Sequence, residues 1–191
     1  MDTTPKVLHM VGQANFAKPV VAAANAGACT IVTDVSISTL TLGALTVAAQ
    51  PDCPRTMRAV VTDANATITG GTVTIVGQDQ NGDNISDVIA ITGAGSFDGA
   101  KAFAKVVSAT WALTGGTVTT TDDKVAIGYG PALGLQAPIG AKYDRLIKGV
   151  FDGLDDLGTF SKTYGLYTPA GTMNGAKTVV VSFLYKLLLS W

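Results

Sequence analysis

Residues Ile68–Ile91 read ITGGTVTIVGQDQNGDNISDVIAI, the pattern of two strands wrapped around one turn. Thr72, Val73, Thr74, Ile75 and Val76 alternate hydroxyl and β-branched apolar side chains, as a half-buried strand does. Gln78-Asp79-Gln80-Asn81-Gly82-Asp83 then supplies the positive-φ and Asx-turn chemistry that reverses a chain. Ile85, Val88, Ile89 and Ile91 carry the return strand. The opening of this hairpin recurs: Thr69-Gly70-Gly71-Thr72-Val73-Thr74 reappears as Thr114-Gly115-Gly116-Thr117-Val118-Thr119, 45 residues later. A chain assembled from β-hairpins is expected.

Composition agrees. The 191 residues include 25 Thr and 20 Val but no Glu, so that all 14 acids are Asp. Glu favours helices, whereas Thr and Val favour pleated sheets, and an all-β class follows. The length suffices for one sizeable core. Charged residues make up 14% of the chain, against the usual quarter or so, while 47% are hydrophobic and 22 are glycine. So few charges suit a body partly covered by other subunits. They equally suit a Thr- and Ser-rich surface that stays in solution without charge.

The net charge of −1 and the scatter of the three arginines, Arg55, Arg58 and Arg145, argue against a nucleic-acid partner, which needs clustered cations. No Lys or Arg precedes Lys6 and no apolar run follows it, so a secretory signal is not expected. The apolar stretch Thr178–Trp191 is too short to span a bilayer and contains Lys186, so no membrane partner is expected either. Two cysteines, Cys29 and Cys53, are too few for a disulfide scaffold. Reduced thiols are the favoured reading, with a single bridge as the alternative.

Along the chain, residues 1–30 read as an extended N-terminal arm or irregular lead-in (VVAAANAGAC) rather than core. Residues 31–191 read as a single β-sandwich domain. Ile31–Val47 alternates, with Val35, Ile37, Leu40 and Leu42 on the apolar side. Gln50-Pro51-Asp52-Cys53-Pro54 is a stop, since two prolines three apart forbid helix and central strand alike. Strands are expected at Arg55–Val61, at the second TGGTVT, at Lys124–Ile127, at Tyr143–Phe151 and at Thr178–Trp191. The last carries apolar residues on both faces, so it is expected to be covered on both. Gly93–Gly99 and Gly128–Gly140 read as loops and Asp152–Asp156 as a turn. Ala100–Val107 fits a short helix as well as a strand. Turn signals about 8–12 residues apart fit a β-sandwich.

No catalytic constellation emerges. The single histidine, His9, lies in the lead-in, which leaves a triad without a well-placed base. Asp122-Asp123 and Asp155-Asp156 are adjacent carboxylates, and strand neighbours point to opposite faces. Asp79, Asn81, Asp83 and Asp87 fall at the first, third, fifth and ninth positions of a calcium loop. Asn84 stands where the sharp-turn glycine belongs, however, and Ala90 where a bidentate Glu belongs. An Asx-rich turn is therefore expected, and no metal or other cofactor. Gly128-Tyr-Gly130-Pro-Ala-Leu-Gly134 lacks both the spacing and the following helix of a nucleotide loop. Cys29, Cys53 and His9 lack zinc spacing. Trp111, Phe183, Tyr185 and Trp191 could form a sugar-stacking platform, though such residues on sheets usually pack in a core or a subunit interface.

The runs Gln50-Pro51-Asp52-x-Pro54-Arg55, Thr62-Asp63, Gly71-Thr72-Val73-Thr74-Ile75-x-Gly77-x-Asp79-x-x-Gly82-x-x-Ile85-Ser86, Lys101-Ala102-Phe103 and Gly128-x-Gly130-x-x-x-Gly134-Leu135 together resemble small virion structural proteins of tailed bacteriophages. The resemblance covers roughly residues 45–140. It implies an immunoglobulin-like or jelly-roll-related β-sandwich that decorates and cements the outer capsid shell. The implied partners are the major capsid protein and the chain's own copies, as a homo-oligomer, commonly a trimer. The implied location is the capsid surface of the virion, after synthesis in the host cytoplasm. A head-to-tail connector or tail-tube protein is the competing reading. A carbohydrate- or host-binding module is a weaker one, and an enzyme is not expected.

Overall fold

A computed structural model describes residues 7–37, 42–135 and 145–188 of the chain. Among them there is no α-helix, only a 3-10 turn at Ala26–Ala28, and the fold is all-β. The first seven strands are β1 (Val7–Phe16), β2 (Val32–Ser36), β3 (Leu42–Leu45), β4 (Arg55–Thr62), β5 (Ile68–Gln78), β6 (Asn84–Ile91) and β7 (Gly95–Phe103). The remaining seven are β8 (Lys105–Gly116), β9 (Lys124–Gly134), β10 (Arg145–Phe151), β11 (Leu154–Asp156), β12 (Thr159–Ser161), β13 (Leu166–Thr168) and β14 (Val179–Leu188).

They form three antiparallel sheets. A hairpin sheet runs β3-β8-β5-β6. A central sheet runs β12-β13-β9-β4-β7, with β2 also paired to β9. A terminal sheet runs β1-β14-β10-β11. The hairpin and central sheets pack face to face around the larger core, where Trp111, Phe103, Met57, Ile75, Ile127 and Val125 are fully buried. This is the expected sandwich-like arrangement, because the alternation along β5 and β6 gives each strand one apolar face to bury. A second core joins the terminal sheet to the end of β9. There Phe16, Leu133, Leu135, Val179, Val181 and Phe183 gather around Tyr167.

Tyr167 shows how the second core is specified. Its hydroxyl donates to Asp156 Oδ2 at 2.6 Å, and glycine at 149 and 158 leaves the space that the phenol fills. Burial, with the Asp156 carboxylate beside it, pushes this phenol well above its ordinary range.

The β5–β6 hairpin forms in the register that its sequence implies, Gly71 opposite Ile91 through Gln78 opposite Asn84. β14 lies inside the terminal sheet, between β1 and β10, with Val179, Val181 and Phe183 buried and Val180 and Leu184 half-buried. Asp152 and Gly153, at φ 54° and 80°, turn β10 directly into β11. Two consecutive positive φ values are what a two-residue hairpin turn needs.

Several sequence expectations are corrected. Gly128–Gly134 is not loop but the second half of β9, a mostly buried strand. Its glycines admit close neighbours: a Cβ at Gly130 would overlap Thr56, and one at Gly128 would overlap Ala23. Pro131 is tolerated because the β4–β9 register shifts between Arg55 and Met57, opposite Leu133 and Tyr129. The remainder of that expected loop, residues 136–140, lies outside the described residues. Most of Gly93–Gly99 is also strand, since β7 begins at Gly95. Ala100–Val107 is neither one helix nor one strand; the chain crosses at Ala104 from the central to the hairpin sheet. Phe103 and Val106 are buried, while Val107 is exposed. The second TGGTVT ends a strand instead of opening one, because β8 stops at Gly116. Leu40 and Trp191 lie outside the described residues.

The lead-in is extended where it is described, but it also contributes to the core. β1 pairs with β14 along its whole length, from Val7 opposite Leu188 to Phe16 opposite Val179. Ala14 and Phe16 are buried in the second core, and Ala23 and Cys29 pack against Val60 and Ala126.

Candidate functional site

The loop expected as an Asx turn is one. Asp79 Oδ1 accepts the backbone N–H groups of Asn81 at 2.8 Å and Asp83 at 3.0 Å, and Gly82 supplies the positive φ of 85°. Asp87 does not join them. It is buried, and its Oδ2 accepts the N–H groups of Ala100 at 2.7 Å and Lys101 at 3.0 Å on β7. Glycine at 99 makes this possible, since a Cβ there would come within 2.5 Å of that oxygen. The four calcium-loop candidates thus divide between a solvated turn and a strand-to-strand tie. Among the described residues no group of three or more His, Cys or acidic side chains is placed to hold a metal ion.

The other acids also serve the backbone. Asp123 is buried, and its carboxylate accepts N–H groups from Ala64, Thr119 and Thr120 at 3.0–3.2 Å. Burial alone would raise its pKa, but these donors outweigh it and hold the carboxyl below its ordinary value. Asp122 beside it is exposed. Asp155 pairs with Lys148 at 2.6 Å while Asp156 takes the Tyr167 hydroxyl, so neither adjacent pair converges on one point.

Among the described residues the platform candidates Trp111, Phe183 and Tyr185 do not assemble on one exposed face. Trp111 is sealed in the larger core and Phe183 in the second. Phe183 and Tyr185 sit 6.0 Å apart with rings tilted at 44°, and Gly12 on β1 leaves the room they need. Backbone pairing places His9 opposite Lys186. Both cysteines are free and belong to different clusters. Burial, with Asp34 adding to it, pushes the Cys29 thiol up to about 11; burial and Asp52 push Cys53 up to about 12. Thiols so protonated are poor nucleophiles at neutral pH.

The polar constellation that the sequence did not disclose is an arginine clamp on the lead-in. Arg55 is fully buried and donates to Gly130 O at 2.9 and 2.6 Å, to Val20 O at 2.9 Å and to Asp52 at 3.1 Å. Asp52 in turn accepts the Val20 N–H at 2.7 Å. Three residues on, Arg58 donates to Ala23 O at 2.8 Å while its other nitrogens grip Asp98 at 2.6 and 2.8 Å. Two guanidinium forks therefore fasten residues 20–23 onto the central sheet. The only sequence signal was Pro51-Asp52-x-Pro54-Arg55, an acid and a base held close by prolines, with nothing to name their targets.

Two concavities stand out among the described residues. A notch of about 170 Å³ lies between the hairpin tip and Tyr164, lined by Asp79, Gln80, Ile85, Lys101 and Ala102. Its Lys101 ammonium already donates to Ser86 O at 2.6 Å, and the Gln80 amide donates to Leu135 O at 2.6 Å. A cleft of about 310 Å³ runs along β10 and β11 between Leu146 and Leu157. Around it Ile147, Leu154 and Leu157 stand 52%, 75% and 93% exposed. The distinctive feature of the surface is thus apolar side chains left in water. No known protein family, curated protein or solved structure matches this chain.

Proposed function

We propose that this chain is a virion structural protein that binds the outside of a phage capsid and stabilises the shell, as a small symmetric homo-oligomer and without catalysis. The observation that carries this reading is the presence of two separate groups of exposed apolar side chains on a charge-poor body. One is on the β10–β11 edge, where Ile147, Leu154 and Leu157 stand out around the Lys148–Asp155 ion pair. The other is on the outer side of the hairpin sheet, with Leu42, Val88 and Val107 at 72%, 60% and 58% exposure. Exposed apolar patches mark contact surfaces, and a subunit that ties neighbours together needs at least two. The major capsid protein is the partner that this reading assigns to one of them.

A head-to-tail connector or tail-tube protein is the second reading. It is favoured by β1, ten residues long and the outermost strand of its sheet among the described residues. Such an edge can take a strand from a neighbour and close a ring. Electron microscopy of particles carrying the labelled chain separates the two. Density on the shell supports decoration, whereas density in the neck or tail replaces it with the connector reading. Under the decoration reading, Leu154→Asp combined with Leu157→Asp should free the folded protein from shells.

A further inference from the structure

β1 leaves its sheet through a strained joint. After Phe16, which lies opposite Val179 of β14, the chain bends at Lys18 and is pinned again at once. Pro19 O accepts the Gly175 N–H at 2.9 Å, and Val20 is held by Asp52 and Arg55. The joint is therefore Ala17 and Lys18, both exposed. Lys18 stands at φ 54°, a left-handed conformation disfavoured for any residue with a Cβ. Ala66 and Asp152 share that sign of φ, but each serves a tight reversal. Asp152 turns the β10–β11 hairpin, and Ala66 lies in a loop whose N–H groups Asp63 collects. Lys18 instead joins β1 to the segment clamped on the central sheet, and it precedes Pro19, whose ring favours an extended residue before it. Local sequence and closed fold thus pull this joint in opposite directions.

We infer that β1 exchanges between copies of the chain, the β1 of one copy pairing with the β14 of another through an extended Ala17–Lys18 joint. Short hinges under strain invite such swaps. β1 is also separable as a unit. Among the described residues β14 is its only strand partner, along ten residue pairs. Its buried side chains, Ala14 and Phe16, pack on body residues between Cys53 and Tyr185.

The vacated site selects the occupant. Opening uncovers one edge of β14 with the buried Val181 and Phe183 beside it, and the strand that fits there has a glycine where Gly12 makes room for the Phe183 and Tyr185 rings. A second copy supplies that strand in the same register, so the exchange rebuilds every contact that opening breaks. What distinguishes the two forms is the joint, relaxed only when the strand crosses over, set against the freedom lost on association. The Arg55 and Arg58 clamps keep residues 20–23 on their own copy, so the exchange stops at the joint. Because opening must first break the whole β1–β14 ladder, the two forms interconvert slowly once folded, and concentration during folding sets their proportion.

Refolding the full chain at about 1 µM and about 500 µM tests this. Monomer is expected from the dilute sample, and from the concentrated one a dimer or small ring that survives dilution in sedimentation. Lys18→Gly, at ease with a positive φ, should lower the association constant at least roughly tenfold, since crossing over then relaxes no strain. Lys18→Val, β-branched, should raise it. The pairing itself is read by co-refolding two chains at the higher concentration, one with Gln13→Cys and the other with Ser182→Cys, positions opposite each other across β1 and β14. A thiol cross-linker longer than the roughly 5 Å between cross-strand neighbours should join one chain to the other. The parent chain, treated alike, reports any linkage through Cys29 or Cys53, and circular dichroism identifies a variant that has lost its fold. A chain that stays monomeric at both concentrations overturns the inference. So does association that ignores both Lys18 substitutions, that joins Gln13→Cys chains only to each other, or that leaves the mixed pair unlinked. Failure to bind capsids would leave the exchange standing.

Discussion

Gly70 lies opposite Gly115 across the β5–β8 pair, and each leaves the space that the other's neighbour fills. A Cβ on Gly70 would come within 2.9 Å of Thr114 Oγ1, and a Cβ on Gly115 within 3.0 Å of Thr69 Oγ1. The two copies of Thr-Gly-Gly therefore run antiparallel through one crossing point as an approximate local dyad, and this is the structural meaning of the 45-residue repeat. The likeness ends at the third residue. Gly71 makes way for the Trp111 indole, whereas Gly116, at φ 80°, ends β8 opposite Ile68.

Gly71→Val tests that packing. Trp111 is fully buried directly over Gly71, so the Cβ of valine, with its two methyl groups, must displace the ring or the strand. A loss of about 1–3 kcal/mol, typical of overpacking, is expected in urea unfolding, together with altered near-UV dichroism from Trp111. Unchanged stability and spectrum would show that the core yields there at no cost.

Arg55→Met should lower stability by about 2–4 kcal/mol. It leaves Asp52 without its partner and strips donors from the Gly130 and Val20 carbonyls. Asp52 keeps 18% of its exposure, which is why the figure sits below that of a fully buried pair. Arg55→Lys should restore only part, since an ammonium cannot span three acceptors as the planar fork does. Limited proteolysis supplies the local readout: cleavage within residues 17–30 should precede global unfolding in Arg55→Met and not in the parent chain.

Asp123→Ala should cost about 1–3 kcal/mol at neutral pH by orphaning three backbone donors. Because the carboxyl is held below its ordinary 3.8 in the fold, the ionised form stabilises the native state above the unfolded pKa. That contribution disappears as pH falls through the lower folded value. The stability gap between parent and variant should therefore be constant from pH 7 to about 5 and close below about 4. A gap that persisted unchanged at pH 2–3 would assign the loss to cavity formation.

Millimolar calcium should leave the melting temperature unchanged. Asp87 is committed to Ala100 and Lys101, and Asp79 to its own turn, so recruiting either to a cation would break bonds that the fold uses. A ligand bound only by the folded state must raise the midpoint. A clear, saturable rise would thus overturn this account of the loop.

How much of this was legible varies with the range of the interaction. The β5–β6 hairpin was readable in full, because strand alternation and turn chemistry act between residues that are close in sequence, and Asp79 and Gly82 carry their own conformational instructions. The same local grammar failed for Gly128–Gly134. Glycine and proline normally punctuate loops, but here they admit Thr56 and Ala23 at close range within a central strand, a need set by residues some 70 to 105 positions away. The core role of the lead-in is hidden for a related reason: its alanine-rich run has no periodicity of its own, and Val20 and Ala23 are held by guanidinium groups from β4.

The amino-acid sequence by itself determined the all-β class, the register of the first hairpin and the scarcity of charge, since each follows from residue propensity, local alternation or a simple count. Only the tertiary structure decided that Asp87 turns inward, away from Asp79, and that two Thr-Gly-Gly segments cross. It alone also brought β3, β8, β5 and β6 together as one sheet. Those outcomes depend on which strands become neighbours. That choice is made by the burial of Trp111, Phe103 and Ile75 together, and no window of the chain contains all three with their partners.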